Sequence, residues 1–299
     1  MDFVKVGDLG ADGIRHLVDI AAEVKRDRDR VAGSRRGVRV GLFFEKPSTR
    51  TRVSCEVATT DLGAVPIVLK QDEVGLGSRE AVEDVARVLD RYLDVLALRV
   101  FDHRNLDTIA AHAGAPVINL LSDLEHPCQA LADMQTIAEN RPVRGATIAY
   151  VGDGNNVCTS LMGAGAALGA RVRVATPSGY EPPAWAVEEA GTLADGGEVE
   201  VMEDPEEAVR GADAVYTDVW TSMGQEAEAA ERRSRFAPYR VDERLFALAA
   251  PTAIFLHCLP AHRGEEVTDG VVDHERSRVF DQAENRLHSF KALLLHLTE

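Results

Sequence analysis

The stretch Phe43-Phe44-Glu45-Lys46-Pro47-Ser48-Thr49-Arg50-Thr51-Arg52 decides the fold, because it joins an apolar strand, 38–44, to the start of a helix. Free backbone N–H groups at a helix start carry partial positive charge and attract anions. The side chains that could join them are the hydroxyls of Ser48, Thr49 and Thr51 and the planar, always charged guanidinium of Arg50. The stretch therefore predicts a cradle for a small phosphorylated ligand.

A more ordinary interpretation of this stretch is a simple helix cap. Ser48 would then be only the N-cap residue, with Arg50 and Arg52 solvated on the helix surface. A nucleotide triphosphate is not the expected ligand, since the stretch lacks the Gly-x4-Gly-Lys-Ser/Thr spacing of a P-loop. The phosphate compound should be smaller.

The composition is that of an acidic globular protein. The 299 residues suffice for about two domains of roughly 150 residues each, with 45% hydrophobic and 27% charged residues. A formal charge of -16 argues against nucleic acids and anionic membranes as partners, because both would be repelled at long range. An anionic substrate would need a local cationic pocket, which Lys46, Arg50 and Arg52 could begin to supply.

The N-terminus and the cysteines favour a cytoplasmic location. Residues 1–6 lack a basic start followed by an apolar run, and no apolar stretch approaches the ~20 residues of a membrane span. The four cysteines, Cys55, Cys128, Cys158 and Cys258, show no CxxC spacing, which favours free thiols over disulfides or a zinc site.

Apolar runs alternate with helical segments along the chain. Strands are expected at 38–44, 65–69, 95–100, 117–120, 147–151, 171–175, 214–218 and 252–257. Helices are expected at 51–62, 81–91, 105–113, 127–139, 159–168, 206–212 and 285–297. This alternation predicts an α/β fold of parallel sheets covered by helices on both faces. A fresh strand-turn-helix series after Gly145 predicts two doubly wound domains, 1–142 and 143–284, with 285–299 packing back on the first.

His126-Pro127-Cys128-Gln129 lies between an apolar strand and a helix, with Pro127 suited to the first helical turn. His126 and Gln129 would then share one helix mouth. A histidine there can donate a hydrogen bond to a carbonyl oxygen, and a glutamine amide can accept one from an N–H₂ group. A capping histidine with a solvated glutamine is the alternative.

Arg99 follows the apolar run 93–98, at the carboxyl end of an expected buried strand. Open α/β sheets place their ligand sites at such ends. A structural ion pair is one interpretation of Arg99. Beside a phosphate cradle, Arg99 also becomes a candidate for polarising a carbonyl group.

The segment Gly152-Asp153-Gly154-Asn155-Asn156 begins like a dinucleotide-binding turn but does not complete it. Val157 stands at the third glycine position of Gly-x-Gly-x-x-Gly, and no acidic residue ends the following strand. A nicotinamide cofactor is therefore not expected. Asn156 instead offers an amide at the helix start that could bind a carboxylate.

Asp218 ends another expected strand. The segment 218–224 predicts a mobile lid with Gly224 as a hinge. Asp218 could pair with a substrate ammonium group or merely cap a helix.

Cys258 ends a further apolar strand, which we expect at the same sheet edge as Arg99, Asn156 and Asp218. Buried cysteines are usually inert core fillers, so only these neighbours make Cys258 a candidate. Arg286, near the start of the last helix, could return another cation to the cradle.

Together, four motifs resemble those of the ornithine carbamoyltransferases, in the family's order and over nearly the whole chain. They are Ser48-Thr49-Arg50-Thr51-Arg52, His126-Pro127-Cys128-Gln129, Asp218 with Ser222-Met223-Gly224, and His257-Cys258-Leu259-Pro260. The first, second and last mark transcarbamylases broadly. The Ser-Met-Gly lid and the cysteine before Leu-Pro point to ornithine rather than aspartate as the acceptor.

The resemblance implies a transcarbamylase fold and transfer of the carbamoyl group of carbamoyl phosphate to the side-chain amine of L-ornithine, giving L-citrulline and phosphate. Carbamoyl phosphate would bind to domain 1–142 through Ser48, Thr49, Arg50, Thr51, Arg99, His126 and Gln129, while Cys258, Leu259 and Arg286 would close the same pocket. Ornithine would bind in domain 143–284 to Asn156, Asp218, Ser222 and Met223. The implied catalytic residues are Cys258, Arg99 and His126. A homotrimer, or a multiple of trimers, with sites near subunit boundaries is also implied.

The mechanism then follows from charge, and it requires no metal or organic cofactor. A tetrahedral oxyanion would develop beside Arg99, His126 and Thr51 while phosphate leaves toward the helix start. An alkyl amine has a pKa of about 10.4, so only on the order of one molecule in a thousand is neutral near pH 7. The pair of Asp218 and Cys258, with a closing lid, could favour the neutral nucleophile.

One position departs from the family. In the loop 71–79, which in these enzymes reaches into a neighbouring subunit's site, Gly75 stands where many relatives carry a polar side chain such as glutamine. Affinity for carbamoyl phosphate would then be weaker, or Arg79 would compensate.

Two other functions fit parts of the pattern. Carbamoyl transfer could go to another amine, such as putrescine, an acylated ornithine or another diamino acid, although Asp218 and Asn156 favour a free α-amino acid. A non-catalytic sensor of a phosphate ligand could also keep this fold.

Overall fold

The structure is a computed structural model that describes residues 1–221 and 226–298. The chain divides into two compact units. Unit 1 comprises Met1–Gln135 and the residues from Glu284 onward, and unit 2 comprises Thr136–Ala283. Each unit contains one parallel sheet, so the predicted α/β class with two parallel-sheet domains is confirmed.

Unit 1 is built on a sheet with the strand order β2-β1-β3-β4. Its strands are β1 Arg39–Phe44, β2 Val65–Lys70, β3 Val95–Arg99 and β4 Val117–Leu121. Its α-helices are Gly10–Arg26, Thr49–Asp61, Gln71–Val74, Val82–Leu89 and His103–His112, after a 3₁₀ turn at Val6–Leu9. Every residue of β3 is buried, as expected for a central strand covered on both faces.

Unit 2 is built on a sheet with the strand order β7-β6-β5-β8-β9. Its strands are β5 Thr147–Val151, β6 Arg171–Ala175, β7 Glu198–Met202, β8 Ala214–Tyr216 and β9 Ile254–Leu256. Its α-helices are Asn156–Ala167, Ala184–Leu193, Pro205–Val209, Ala229–Phe236, Glu243–Phe246 and Asp269–Val272, with 3₁₀ turns at Glu226–Glu228 and Ala237–Tyr239. Two further helices, Pro127–Asn140 and Val279–Leu297, begin in one unit and end in the other.

Both sheets contain a point where the strand order reverses direction. In unit 1 it lies between β1 and β3, and in unit 2 between β5 and β8. The loops that leave the carboxyl ends of two such strands run to opposite sides of the sheet and leave a crevice between them, where open α/β sheets bind ligands. The fold therefore singles out the residues after Phe44, Arg99, Val151 and Tyr216.

The helix Asn156–Ala167 shows how the sequence allows close packing in unit 2. Its residues from Val157 to the end are buried, and most are small. A Cβ atom at Gly165 would come within 2.7 Å of a methyl group of Val172 in β6. A side chain at this position would therefore prevent this close approach of helix and strand.

The ladder between β3 and β4 is irregular at the end of β3. Leu98 is paired with Asn119, whereas Arg99 is paired with Leu121, so β4 contains one extra residue at Leu120. Bulges of this kind bend a strand and re-aim its side chains. The irregularity lies directly at the carboxyl end where Arg99 leaves the sheet.

The structure corrects the sequence-based elements in several places. The charged edge strand β7 and the helix Gly10–Arg26 were not expected, and the last helix begins at Val279, six residues before the expected start. The strands β8 and β9 end earlier than expected, so Asp218 and Cys258 lie in the loops that follow them. In residues 1–221 and 226–298, none of the helices combines the length and the apolar character needed to span a bilayer.

One expectation about the sheets was wrong. Arg99 was expected at the same sheet edge as Asn156, Asp218 and Cys258, but these residues belong to two different sheets, in keeping with the two predicted domains. Arg99 ends a strand of unit 1, and the other three residues follow strands of unit 2.

Candidate active site

The predicted phosphate cradle is formed by the start of the helix Thr49–Asp61, two residues earlier than expected. Ser48 is the N-cap residue with φ of -153° and ψ of 107°, and its hydroxyl makes no capping hydrogen bond. The amide of Arg52 donates to the carbonyl of Ser48 at 3.1 Å, so the amides before it have no acceptor within the helix. The backbone of this turn thus presents donors beyond the helix start.

The side chains around the cradle differ in their exposure and in their contact partners. Thr51 is buried and Arg50 is exposed. Arg52 pairs with Glu56 at 2.6 Å on the helix surface, and the ammonium of Lys46 lies over the ring of Phe101 at 3.9 Å. The surface interpretation is therefore correct for Arg52. Of the three cations expected to supply a pocket, Arg50 is the one without such a partner in the described part of the chain.

Arg99 lies beside the cradle because of the sheet register. It is the last residue of β3 and the Cα partner of Phe44, the last residue of β1. Its residue surface is 9% exposed. The Glu45 amide donates to the Arg99 carbonyl at 2.9 Å, and the Glu45 carboxylate accepts from the Phe101 amide at 2.6 Å, which braces the two strand ends together.

A buried polar network connects the motif around His126 to the last helix. Arg286 Nη1 donates to Gln129 Oε1 at 2.6 Å and lies 3.4 Å from His126 Nε2. Gln129 Nε2 donates to Asp133 Oδ1 at 2.7 Å. All four side chains are buried, which excludes the solvated glutamine of the alternative interpretation. The Gln129 oxygen, expected to accept from a ligand amide, already accepts from Arg286.

Arg286 is brought to this network by the helix Val279–Leu297. It lies two turns inside that helix rather than near its start, because the helix begins at Val279. It still reaches His126 and Gln129, so the structure groups these three residues as expected. The error in the helix start came from the polar residues 281–286, which hide the buried face of the first two turns.

The environment of His126 fixes its protonation. Burial, followed by the positive charges of Arg286 and Arg99, holds the pKa of His126 well below its usual value. Arginine can only donate, so Nε2 is the acceptor in the Arg286 contact and the ring proton lies on Nδ1. His126 is thus a neutral imidazole with Nδ1–H as the group that can donate to a carbonyl oxygen.

In unit 2, a second polar cluster lies at the switch point. Asn155 is the N-cap of the helix Asn156–Ala167, and its oxygen accepts from the amides of Val157 and Cys158 at 2.9 and 3.1 Å. Its Nδ2 donates to Asp218 Oδ2 at 2.9 Å. Asp218 is thus held by a side chain from the neighbouring loop, and Asn155 is a site residue that the sequence analysis did not name.

The other oxygen of Asp218 meets the predicted cysteine. Cys258 Sγ donates to Asp218 Oδ1 at 3.0 Å, and Asp218 is buried. Both carboxylate oxygens thus have partners in unit 2, so the structure does not support Asp218 as a mere helix cap. Asn156 is the first residue of its helix and is half-buried beside this cluster. Ser222, Met223 and Gly224, the expected lid, lie outside the described residues.

Cys258 differs from the other cysteines in accessibility. It is partly exposed, whereas Cys55, Cys128 and Cys158 are buried. Burial raises the pKa of Cys128 to about 12 and also raises the pKa values of Cys55 and Cys158. A thiol that cannot ionise is a poor nucleophile and a poor proton carrier, so Cys258 is the cysteine suited to chemistry.

A buried ion pair, Arg232 with Asp153, lies in the same unit and close enough for the charge of Asp218 to affect Asp153. Arg232 Nη1 donates to Asp153 Oδ2 and to the Trp220 carbonyl, each at 3.0 Å. Burial raises the pKa of Asp153 to about 6, although Arg232 opposes the shift. No local sequence pattern indicates this pair, since 79 residues separate its partners.

Among the residues that the structure describes, two groups of side chains have the ligand types that metals prefer. They are Asp218 with His257 and Cys258, and His262 with Glu265 and Glu266, and the ligand atoms within each group lie within 4.8 Å of one another. In the first group, however, both ring nitrogens of His257 are occupied. Nδ1 accepts from the Leu259 amide at 2.8 Å, and Nε2 lies 3.3 Å from Glu266 Oε1. His257 in this arrangement cannot ligate an ion.

Comparison with protein families shows what the two units are. A family model described as the carbamoyl-P binding domain of aspartate/ornithine carbamoyltransferase matches residues 1–139. A second, described as the Asp/Orn binding domain of the same enzymes, matches residues 144–297. The chain belongs to the aspartate/ornithine carbamoyltransferase family. It is therefore a carbamoyltransferase, as the motifs predicted.

Individual carbamoyltransferases match over nearly their full length. An ornithine carbamoyltransferase of Acidothermus cellulolyticus is 53% identical over an alignment of 302 positions that covers 99% of this chain and 96% of the relative. The structure of ornithine carbamoyltransferase from Pyrococcus furiosus aligns with a TM-score of 0.93 at 48% identity, over 98% of this chain and 96% of that one. An N-acetyl-L-ornithine transcarbamylase variant complexed with PALAO aligns with a TM-score of 0.89 at only 30% identity, over 99% of each chain.

In the loop 71–79, where the sequence analysis predicted a departure from the family, the glycine at position 75 has a local structural reason. Gly75 ends the helix Gln71–Val74 with φ of 69°, and a Cβ there would come within 2.6 Å of the Arg79 Cβ. Arg79 Nη2 donates to the Glu73 and Val74 carbonyls at 2.5 and 3.1 Å. Arg79 thus folds back over the end of the helix Gln71–Val74 that precedes it, and its compensating role in ligand binding stays a prediction.

Proposed function

We propose that the protein transfers the carbamoyl group of carbamoyl phosphate to the side-chain amine of L-ornithine, giving L-citrulline and inorganic phosphate. The observation that carries the choice of acceptor is the buried carboxylate of Asp218 at the switch point of unit 2, bonded to the Cys258 thiol. A buried anion beside a thiol suits an acceptor that carries amino groups. The second carboxylate of aspartate would meet repulsion from Asp218.

Carbamoyl phosphate is assigned to the cationic half of the protein. The helix start at Ser48 offers backbone donors, three hydroxyls and Arg50 to the phosphate, in the manner of anion sites at helix N-termini. Arg99 and the Nδ1–H of His126 are assigned to the carbamoyl oxygen, and Arg286 with Gln129 supports His126 from behind. The motif resemblance adds Cys258 and Leu259 to the ligands of carbamoyl phosphate. Domain 1–142 with 285–299 would be the carbamoyl phosphate-binding domain.

Ornithine is assigned to domain 143–284. Asp218 would pair with an ammonium group, and Asn156 would bind the carboxylate, with Ser222 and Met223 added by resemblance. Asn155 acts through Asp218, because its amide holds one carboxylate oxygen while the Cys258 thiol holds the other. This fixed carboxylate favours binding of a cationic amino acid in one orientation.

The reaction forms a C–N bond and breaks the C–O bond to phosphate. The side-chain ammonium of ornithine first loses one proton, for which the Asp218 and Cys258 pair is the assigned acceptor. The amine then adds to the carbamoyl carbon, and negative charge develops on the oxygen beside Arg99 and His126, whose donors stabilise it. Collapse expels phosphate, which can take the second proton from the new C–N bond. Orientation of the two reactants should supply roughly 7 to 11 kcal/mol of the rate enhancement.

A homotrimer, or a multiple of trimers, and a cytoplasmic location are part of the proposal. They are supported by the motif resemblance and by the reasoning on charge and sequence given above. Analytical ultracentrifugation at micromolar concentration tests the assembly, and a monomer that turns over at the full rate would contradict it.

The acceptor assignment is tested with a panel of amines. The purified protein receives carbamoyl phosphate with L-ornithine, N-acetyl-L-ornithine, putrescine or L-aspartate, and both ureido product and released phosphate are quantified. We expect kcat/KM for L-ornithine to exceed the others by about a hundredfold or more, since loss of a paired charge costs about that much. A faster reaction with putrescine or N-acetyl-L-ornithine would make the assignment wrong. Calorimetric binding of carbamoyl phosphate without any ureido product would favour the non-catalytic sensor.

A further inference from the structure

His257 and Glu266 form a buried pair directly beside Cys258, and the chemistry described above does not use it. His257 Nε2 lies 3.3 Å from Glu266 Oε1, and both side chains have 0% exposure. A carboxylate in such a place is costly unless hydrogen bonds satisfy it. The hydrogen bonds that Glu266 accepts must therefore offset the free-energy cost of burying its carboxylate.

The hydrogen bonds fix the direction of the pair. The Leu259 amide donates to His257 Nδ1 at 2.8 Å, so Nδ1 carries a lone pair and the ring hydrogen lies on Nε2. Nε2–H then donates to Glu266 Oε1. The carboxylate thus selects the tautomer of His257, and this tautomer in turn accepts the backbone of Leu259.

Glu266 also holds the far end of the same segment. The His262 amide donates to Glu266 Oε1 at 2.5 Å. The near end is held a second time, because the His257 amide donates to Gln282 Oε1 at 2.9 Å. The segment 257–262, which contains Cys258, is therefore attached at its start and at its end to one buried carboxylate oxygen.

The backbone inside this segment requires such support. Leu259 has φ of 58°, and in residues 1–221 and 226–298 it is the non-glycine residue with positive φ. This region costs a side-chain-bearing residue on the order of 1 to 3 kcal/mol and persists only where surrounding contacts impose it. The bond from the Leu259 amide to His257 is the contact that does so, and the thiol of the preceding residue reaches Asp218 at 3.0 Å.

We propose that Glu266 is a positioning residue which, through the tautomer of His257, imposes the backbone conformation of Leu259 and so aims the Cys258 thiol at Asp218. Its role in turnover rests on the function proposed above, whereas its effect on the thiol does not. Glu266 touches neither substrate in this scheme.

The first readout is independent of catalysis. Cys258 is the partly exposed cysteine of the four, so its alkylation by iodoacetamide can be followed by mass spectrometry of its peptide. In Glu266→Ala the thiol should be released from the carboxylate of Asp218, whose charge opposes loss of the thiol proton. Its alkylation should therefore accelerate by about threefold or more. In Glu266→Gln an amide oxygen can still accept from both His257 and His262, and the alkylation rate should stay near that of the wild type.

The second readout is turnover with L-ornithine. We expect Glu266→Ala to lower kcat about tenfold or more, in line with the cost of a small misplacement at a reacting centre, and Glu266→Gln to restore most of it. His257→Asn keeps an acceptor for the Leu259 amide but cannot reach Glu266. Adding Glu266→Ala to His257→Asn should cost little more, because both act through one connection.

A matched control separates positioning from general destabilisation. Asp213 binds Arg141 and accepts from the Thr147 amide at 2.8 Å, at the opposite, amino ends of β5 and β8 in the same sheet. Asp213→Asn should change neither readout. If Glu266→Ala does not fold, Glu266→Asp withdraws the carboxylate by one methylene and should show the same effects at smaller size.

Three results would overturn the proposal. The first is an unchanged alkylation rate in folded Glu266→Ala or Glu266→Asp. The second is a Glu266→Gln variant as impaired as Glu266→Ala, which would make the charge rather than the hydrogen bonds responsible. The third is a similar change in Asp213→Asn. Failure of the wild type to convert ornithine would contradict the proposed function but would leave the alkylation test intact.

Discussion

In unit 1 the two strands at the switch point, β1 and β3, lead into the cradle at Ser48 and end in Arg99, whereas in unit 2 the corresponding strands, β5 and β8, lead to Asp153 and Asp218. The architecture is the same in both units, a parallel sheet with one reversal of strand order. The charge at the strand ends is opposite. The fold provides the position of a site, and a few loop residues decide which ligand it binds.

The same contrast appears in what burial does to ionisable groups. In unit 1, burial beside arginines keeps His126 neutral by holding its pKa well below the usual value. In unit 2, burial raises the pKa of Asp153 to about 6, and only Arg232 limits the shift. In the proposed function, unit 1 would stabilise negative charge as it develops, and unit 2 would hold a cationic amino acid and take up a proton.

The sharpest way to break the comparison is to remove the cation at the end of β3. Arg99→Ala should lower kcat by at least about a hundredfold, since a preorganised donor to the developing oxyanion is lost. Steady-state assays of citrulline measure the effect. Arg52→Ala is the matched control, because Arg52 pairs with Glu56 on the helix surface, and it should stay within about twofold of the wild type. Turnover of Arg99→Ala near the wild-type rate would remove Arg99 from the mechanism.

Removing the negative charge of Asp218 in unit 2 should weaken the use of ornithine rather than the binding of carbamoyl phosphate. We expect Asp218→Asn to lower kcat/KM for ornithine by about thirtyfold, because a buried charged partner of the ammonium is lost. The dissociation constant for carbamoyl phosphate, measured by calorimetry, should remain within about twofold. Asp204→Asn, at an exposed helix cap of the same unit, serves as control and should change neither value. If Asp218→Asn lost more affinity for carbamoyl phosphate than for ornithine, relative to the wild type, the division of roles would be contradicted.

Asp153 should make the free energy of unfolding depend on pH. With a pKa of about 6 in the folded state against 3.8 for the unfolded chain, the folded state binds more protons between these values, so the free energy of unfolding falls as pH rises. This contribution should decrease by about 1 kcal/mol from pH 5 to pH 7 and be absent in Asp153→Asn. Urea unfolding followed by tryptophan fluorescence reports on unit 2, which contains both Trp185 and Trp220. A parallel pH dependence in wild type and variant would exclude Asp153 as its source.

The smallest expected effect concerns His126. Because the folded protein keeps it neutral, its protonation should not contribute to the pH profile of turnover near neutrality. His126→Gln should be slower, but its rate relative to the wild type should change by less than about twofold from pH 6 to pH 8. A ratio that follows a titration in this range would show that His126 changes its charge during turnover.

Much of this arrangement is readable from the sequence because its signals are local. The helix after Ser48 was predicted to within two residues of its start. Pro127 begins its helix as predicted, because proline fits the first helical turn. The edge strand Glu198–Met202 was missed because glutamates interrupt it, although Val199 and Val201 alternate with them as in a half-buried strand.

The parts that could not be predicted depend on distant contacts. Asn155 looks like an ordinary N-cap, and only its second bond, to a residue 63 positions away, connects it to Asp218. Glu266 lies in a polar loop sequence, and its complete burial follows from packing that no local pattern reports. The two sheets themselves were predicted, and the grouping of Arg99 with the unit 2 residues was the part of that prediction that was wrong.

The bulge at Leu120 has a consequence for changes in chain length. Successive side chains of a strand alternate between faces, so one additional residue in β4 reverses which of its side chains shares a face with Arg99. Deleting Leu120 would make the ladder regular, but it would also change the direction of the segment that leads from β4 to His126. Shortening this strand should therefore be among the least tolerated alterations in the protein, even though it would make the sheet more ideal.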